Sequence, residues 1–146
     1  MRTRRTPAQI AQCDPEMYQL ALPAAGRSTI EQGDSSAVLG PADWTLSDSS
    51  RPHGASHSPQ TSGLPDQPKL ATSVTVLIPH HLLPLPRTKV SALMAARIPS
   101  GHGMGALAAQ LVRQISRHPD RYDPSQAPVL ASTVLSLVAG MVAQQL

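Results

Sequence analysis

Apolar and polar positions alternate with a period of two in the first half of the chain and recur at helical spacing in the second. Tyr18, Leu20 and Leu22 fall on one face, with Gln19 and Ala21 opposite, the signature of a half-buried strand. Gly26-Arg27 is a turn, and Ser28 to Gln32 can return as a second strand. Gly33-Asp34 turns the chain again into Ser36 to Leu39, which Gly40-Pro41-Ala42-Asp43 ends. Trp44 and Leu46 share a face, with Thr45 and Ser47 on the other. Residues 51–69 keep no period and, rich in Pro, Ser, Gly and His, read as a long irregular loop of the kind often functional or mobile. Leu70 to Ile78 is the most strand-like segment, with Val74, Val76 and Ile78 aligned. Short strands joined by turn residues predict a meander or small barrel.

After Ile78 the period changes. Pro79 to Leu85 reads as a short helical turn, and Val90, Leu93 and Met94 as a brief helix that Pro99 stops. A longer helix opens at Ser100-Gly101, with Met104, Leu107, Leu111 and Ile115 as its apolar stripe and Gln110, Arg113, Gln114 and Arg117 facing water. His118-Pro119-Asp120 ends it. The last helix starts near Asp123 or Ser125, with Pro128 tolerated in its first turn. Leu130, Val134, Leu137 and Met141 form its stripe, widened by Val138 and Val142. The expectation is an α+β chain: a partial antiparallel barrel over residues 1–78, then a helical region with two main helices over residues 79–146.

Composition narrows the function classes. The chain has 146 residues, 14% of them charged, with no Phe, one Trp and two Tyr. Ala, Leu and Val must therefore fill the core. Fifteen Pro argue against an all-helical bundle, and the lone Cys13 excludes a disulfide scaffold. The basic start at Arg2, Arg4 and Arg5 is a weak footprint for phosphate. Neither Arg4-Arg5 nor Ile10-Ala11-Gln12-Cys13 works as an export or lipoprotein signal, because no apolar stretch accompanies them. Residues 127–146 are uncharged and about long enough to cross a bilayer. Their Ser, Thr, Gly and Gln content favours a soluble helix, so the expected compartment is cytoplasmic.

Three chemistry-bearing patterns have plainer readings. Gly101-x-Gly103-x-x-Ala106 lacks the preceding strand that a dinucleotide turn needs. Gly33-Asp34-Ser35-Ser36 looks like a hydrolase nucleophile box, but it is a hairpin turn with no Asp-x-x-His downstream. His53 and His57 lie in a loop, His80 and His81 point apart, and His102 and His118 mark opposite ends of one helix. No metal site, cofactor or catalytic residue is expected.

Arg4-Arg5-Thr6-Pro7, Asp14-Pro15-Glu16-Met17-Tyr18-Gln19-Leu20, Gly40-Pro41-Ala42-Asp43 and Asp48-Ser49-Ser50-Arg51-Pro52-His53 follow one another along the first half. Ile78-Pro79, Leu82-Leu83-Pro84-Leu85-Pro86 and Gly103-Met104-Gly105-Ala106-Leu107 continue the series. Together they resemble the cupin-like ligand-binding and dimerisation domain of AraC-type actinobacterial transcriptional regulators. The resemblance implies a sensing module that normally precedes paired helix-turn-helix units. Such domains usually have additional strands before the Arg-Arg-Thr-Pro segment, so the barrel is expected to be incomplete at its start. Ala42 and Ser47 stand where the family has glycine and an aromatic residue. The chain is expected to be a regulator module without its own DNA-binding domain, non-enzymatic, not sequence-specific for DNA and not membrane-bound. Alternatives are a non-functional regulator fragment, a small cupin-like metal-binding enzyme and a membrane-associated peptide.

Two sites follow as expectations. A pocket for a small-molecule effector is expected on the inner barrel face near Tyr18, Trp44 and Arg51, where aromatic walls and a guanidinium could hold an anion-bearing ligand. Leu130, Val134, Leu137 and Met141 are expected to form a homodimer seam, or to pair with a related regulator.

Overall fold

The computed structural model describes residues 2–25, 27–40, 43–58 and 72–146. Two four-stranded antiparallel sheets lie face to face, with helices against the outside of one of them. The first sheet has the order β1 (Arg2–Arg5), β6 (His53–Ser58), β3 (Arg27–Gln32) and β4 (Ser35–Leu39). The second has the order β7 (Thr72–Pro79), β2 (Met17–Ala25), β5 (Asp43–Asp48) and β8 (Arg97–Pro99). A short helix α1 (Pro7–Gln12) joins β1 to β2. Its Thr6 hydroxyl accepts from the Gln9 amide while the Gln9 side chain accepts from the Thr6 amide, a capping box behind Pro7.

The alternation read from the sequence sets the faces of the second sheet. In β2, Tyr18, Leu20 and Leu22 point to the helices, with Leu20 paired to Leu46 of β5 and to Val76 of β7. Trp44, Leu46 and Ile78 complete this apolar floor. Over it lie α2 (Arg87–Ser91), α3 (Gly103–Arg117) and α4 (Ala127–Ala143), which supply Val90, Ala108, Ala109, Val112, Val138, Met141 and Val142. Gly33 turns β3 into β4 at φ +59°, which favours glycine. Hence Gly33-Asp34 is a hairpin turn.

Four elements differ from the sequence reading. Part of the predicted irregular loop is β6, a strand of Gly, Ala, Ser and His that is held by pairing with β1 on one side and β3 on the other. Residues 59–69 of that loop lie outside the described residues, as do Gly26, Pro41, Ala42, Leu70 and Ala71. The basic N-terminus forms β1. Residues 97–99, read only as the end of a helix, add β8 to the second sheet, where Trp44 pairs with Ile98. A strand therefore does precede Gly101-x-Gly103-x-x-Ala106, but it is an edge strand antiparallel to β5 and not part of a parallel dinucleotide-binding unit.

The helix α3 buries a different face from the one expected. Gly105, Ala108, Ala109 and Val112 are buried, whereas Leu107 of the predicted stripe is 52% exposed. Small side chains let the helix approach the sheet closely. A Cβ built on Gly105 would lie 2.2 Å from the Pro99 carbonyl oxygen, and the Gly105 carbonyl accepts a 3.1 Å hydrogen bond from the Trp44 indole. The larger Met104, Leu111 and Ile115 are pushed to the flanks, where they remain partly buried.

Candidate functional site

Both faces of the second sheet are covered, and the two faces differ in chemistry. The face away from the helices looks across at the first sheet and encloses a lumen of about 200 Å³. The side chains there follow from strand parity. Gln19, Ala21 and Pro23 come from β2, Thr45 and Ser47 from β5, and Ser73 and Thr75 from β7; Ile30, Leu39, His53 and Ala55 enter from the first sheet. Among the described residues the lining is a mixture of hydroxyls, one amide, one imidazole and small apolar walls, with no Asp, Glu, Lys or Arg. Small polar side chains can turn hydrogen bonds to a ligand without closing the space between the sheets.

One end of the lumen is tied by the turn between β5 and β6. The Asp48 carboxylate accepts from the Ser50 amide at 2.9 Å and from His80 Nε2 at 2.8 Å. The Gln32 side chain donates to the Asp48 carbonyl and accepts from the Asp48 amide, both at 2.9 Å. The Ser49 amide donates to the Met17 carbonyl, its hydroxyl accepts from the Met17 amide, and its carbonyl accepts from Arg5 Nε at 2.7 Å. Thus the Asp48-to-His53 motif is a knot that joins β1, β2, β3 and the turn after β7. The His80 ring stacks obliquely on Tyr18, with centroids 4.5 Å apart. Its Nδ1 is buried without a partner among the described residues, so in the neutral ring the proton belongs on Nε2, where Asp48 receives it. Burial pushes the Tyr18 hydroxyl above its ordinary value of 10.0, and its hydrogen bond with Arg87 opposes this.

The structure does not bring the three expected ligand residues together in the lumen. Tyr18 and Trp44 are buried on the helix side of the sheet. Arg51 sits in the β5–β6 turn, with its guanidinium over the Gly33 hairpin. The lumen residues escaped the sequence reading because Gln19, Thr45 and Ser47 look like the solvent face of an alternating strand. Only the structure reveals that β5 has no exposed residue on either face.

A second concavity, about 750 Å³ and almost wholly apolar, runs along the edge strand β7 beneath α3 and α4. Leu77, Leu82, Val112, Leu130, Val134 and Leu135 are among its walls. Of the four residues expected in a dimer seam, Met141 is only 1% exposed and belongs to the core of its own chain, while Leu130, Val134 and Leu137 are half-buried. The segment Pro124–Ala143 is long and apolar enough to cross a membrane by composition, with a mean hydropathy of 1.6. Such a helix can equally be an amphipathic or core element of a soluble fold. Among the described residues no three His, Cys, Asp or Glu side chains converge as metal ligands.

A double-sheet lumen with helices packed behind one sheet is the architecture of cupin-like sensing domains. The AraC-binding-like domain model matches residues 2–143, and the chain belongs to that family, the regulatory ligand-binding part of AraC-type regulators. Its fold is similar to that of the AraC-like transcriptional activator CuxR, with a TM-score of 0.77 at 15% sequence identity. The match covers 97% of this chain and 48% of CuxR, so the chain spans about half the length of that activator. No curated protein sequence matches it.

Proposed function

We propose that this domain senses a small-molecule effector in the lumen and passes its occupancy to a transcriptional regulator, without catalysis of its own. The observation that carries the reading is an internal cavity lined by hydroxyl and amide groups, in a chain of the AraC-binding-like family. Polar groups facing a cavity between two sheets are costly to leave unmatched, and a ligand or ordered water supplies their partners. The cytoplasm is the compartment in which such a regulator acts. Sequence-specific reading of DNA is not assigned to these residues: α3 has basic side chains only toward its end, and α4 has none.

Self-association through α4 belongs to the same proposal. Val129 is 68% exposed, and with half-buried Leu130, Val134 and Leu137 it offers an apolar surface to a second copy or to a related regulator. A second chain would cover this side of α4 and the neighbouring Leu77 and Leu82.

A thermal-shift screen of pooled small metabolites, run on the native chain and on Ala55→Leu, tests the sensing role. The added branch would occupy the lumen. Compounds that raise the melting temperature of the native chain and leave Ala55→Leu unchanged support the reading. Compounds that stabilise both chains equally contradict it.

A further inference from the structure

Gln19 and His53 line not only the lumen but also a polar hollow of about 500 Å³ at its mouth. The rest of that hollow is made by Arg4, Arg5, Gln9, Gln12 and Cys13. Among the described residues that line the two cavities there are two guanidiniums, one imidazole and three carboxamides, and no carboxylate. Arg5 is fixed in place, because its Nε donates to the Ser49 carbonyl and its Nη2 to the Cys13 carbonyl. Both acceptors are neutral carbonyls, and the Asp14 carboxylate, which feels the Arg5 charge, lies outside the lining of the hollow. Arg4 is exposed; on its other side it borders a hollow that contains Glu31, but no ion pair joins the two. His53 Nδ1 lies 3.1 Å from the Arg51 carbonyl and must donate to it, which leaves Nε2 for a ligand.

We infer that the effector is a small organic anion. Its uncharged body fills the lumen, and its carboxylate or phosphate lies in the hollow beside Arg4 and Arg5. The division follows from the two chambers: among the described residues, a volume of about 200 Å³ lined without Asp, Glu, Lys or Arg shares Gln19 and His53 with one whose charged lining residues are Arg4 and Arg5. The lumen has the bulk of roughly seven liquid waters at about 30 Å³ each, so the body is smaller than a drug-sized molecule. Guanidinium groups recognise planar or tetrahedral oxyanions through paired N–H donors. This inference rests on the lumen being the effector site.

Isothermal titration of the full chain with a matched set tests it: benzoate, phenyl phosphate and benzamide, each against the native chain, Arg4→Gln and Ala55→Leu. The expected result is that at least one of the two anions binds, benzamide binds at least tenfold more weakly, and Arg4→Gln removes most of that preference. A salt dependence should accompany the anion alone. Which anion binds distinguishes a carboxylate from a phosphate effector. Equal binding of anion and amide, both abolished by Ala55→Leu, overturns the anion assignment and leaves the lumen reading intact. Anion binding that Ala55→Leu does not weaken overturns the lumen reading and the two-chamber ligand with it. Failure of both anions to bind at millimolar concentration also overturns the assignment.

Discussion

Replacing Gly105 with Ala should destabilise the domain, although the same change inside a helix ordinarily stabilises it by about 0.5–1 kcal/mol. The methyl would meet the Pro99 carbonyl oxygen at 2.2 Å, more than 1 Å inside ordinary contact, and that oxygen is backbone and cannot swing aside. Relief therefore requires α3 and β8 to separate as rigid elements. Overpacking of this kind costs about 1–3 kcal/mol. Separation would also stretch the bond from the Trp44 indole to the Gly105 carbonyl, and a buried donor left without a partner costs about 1–3 kcal/mol. Net of the gain in helix propensity, the loss should be about 2–4 kcal/mol. At roughly 3–5 °C per kcal/mol for a chain of this size, the melting temperature should fall by about 10 °C. Gly140→Ala is the control, since its Cβ would meet only the flexible Met104 Cε at 2.9 Å, and its effect should lie within about 1 kcal/mol of zero. Urea denaturation followed by fluorescence of the single Trp44 and by circular dichroism measures both. A Gly105→Ala chain as stable as the native one would refute the close α3–β8 packing.

Gln32→Ala removes the amide that bridges β3 to the Asp48 backbone and should cost about 2–3 kcal/mol in the same denaturation assay. A double-mutant cycle of Asp48→Ala and His80→Ala should show a coupling of about 1–3 kcal/mol, because the two buried side chains bond each other directly at 2.8 Å. The Ser50 hydroxyl and then the Glu16 amide hold the Asp14 carboxyl below its ordinary value of 3.8. A lowered carboxylate contributes above its unfolded value and loses that contribution as pH falls through the folded one, so the stabilisation by Asp14 should be complete above about pH 4 and disappear as the pH drops below it. Carboxylate NMR titration should show its midpoint rising toward 3.8 in Ser50→Ala. The native chain should sediment above its 15.4 kDa monomer mass, and Val129→Arg, which alters an exposed position rather than the core-packed Leu137, should return it to that mass; an unchanged assembly would remove α4 from the seam.

Much of this architecture is legible in the sequence, and the exceptions share a cause. The alternation of Tyr18, Leu20 and Leu22 and of Trp44 and Leu46 locates β2 and β5, because a floor under helices demands large apolar side chains on one face. It cannot say that the opposite face is also enclosed, so the lumen residues Gln19, Thr45 and Ser47 read as solvent-facing. The strands β6 and β8 carry little intrinsic strand preference and exist through pairing partners distant in sequence. In α3 the bulky positions give the stronger periodicity, while the fold selects the Gly105, Ala108, Ala109 and Val112 face because only it permits the Trp44 contact. Two of the motifs that carry the family resemblance have a structural role in this chain: Asp48 to His53 forms the knot, and Gly105 gives α3 its close approach to β8.

The proposed sensing role requires the effector to enter between the sheets rather than beside them. Carbon-edited nuclear Overhauser spectra of the labelled chain, saturated with a compound that stabilises it, locate that compound directly. Contacts to the side chains of Gln19, Thr45, Ser47, His53 and Ala55 are the expected result. Contacts confined to Leu77, Leu82, Leu130 and Val134, in the apolar channel along β7, would contradict it.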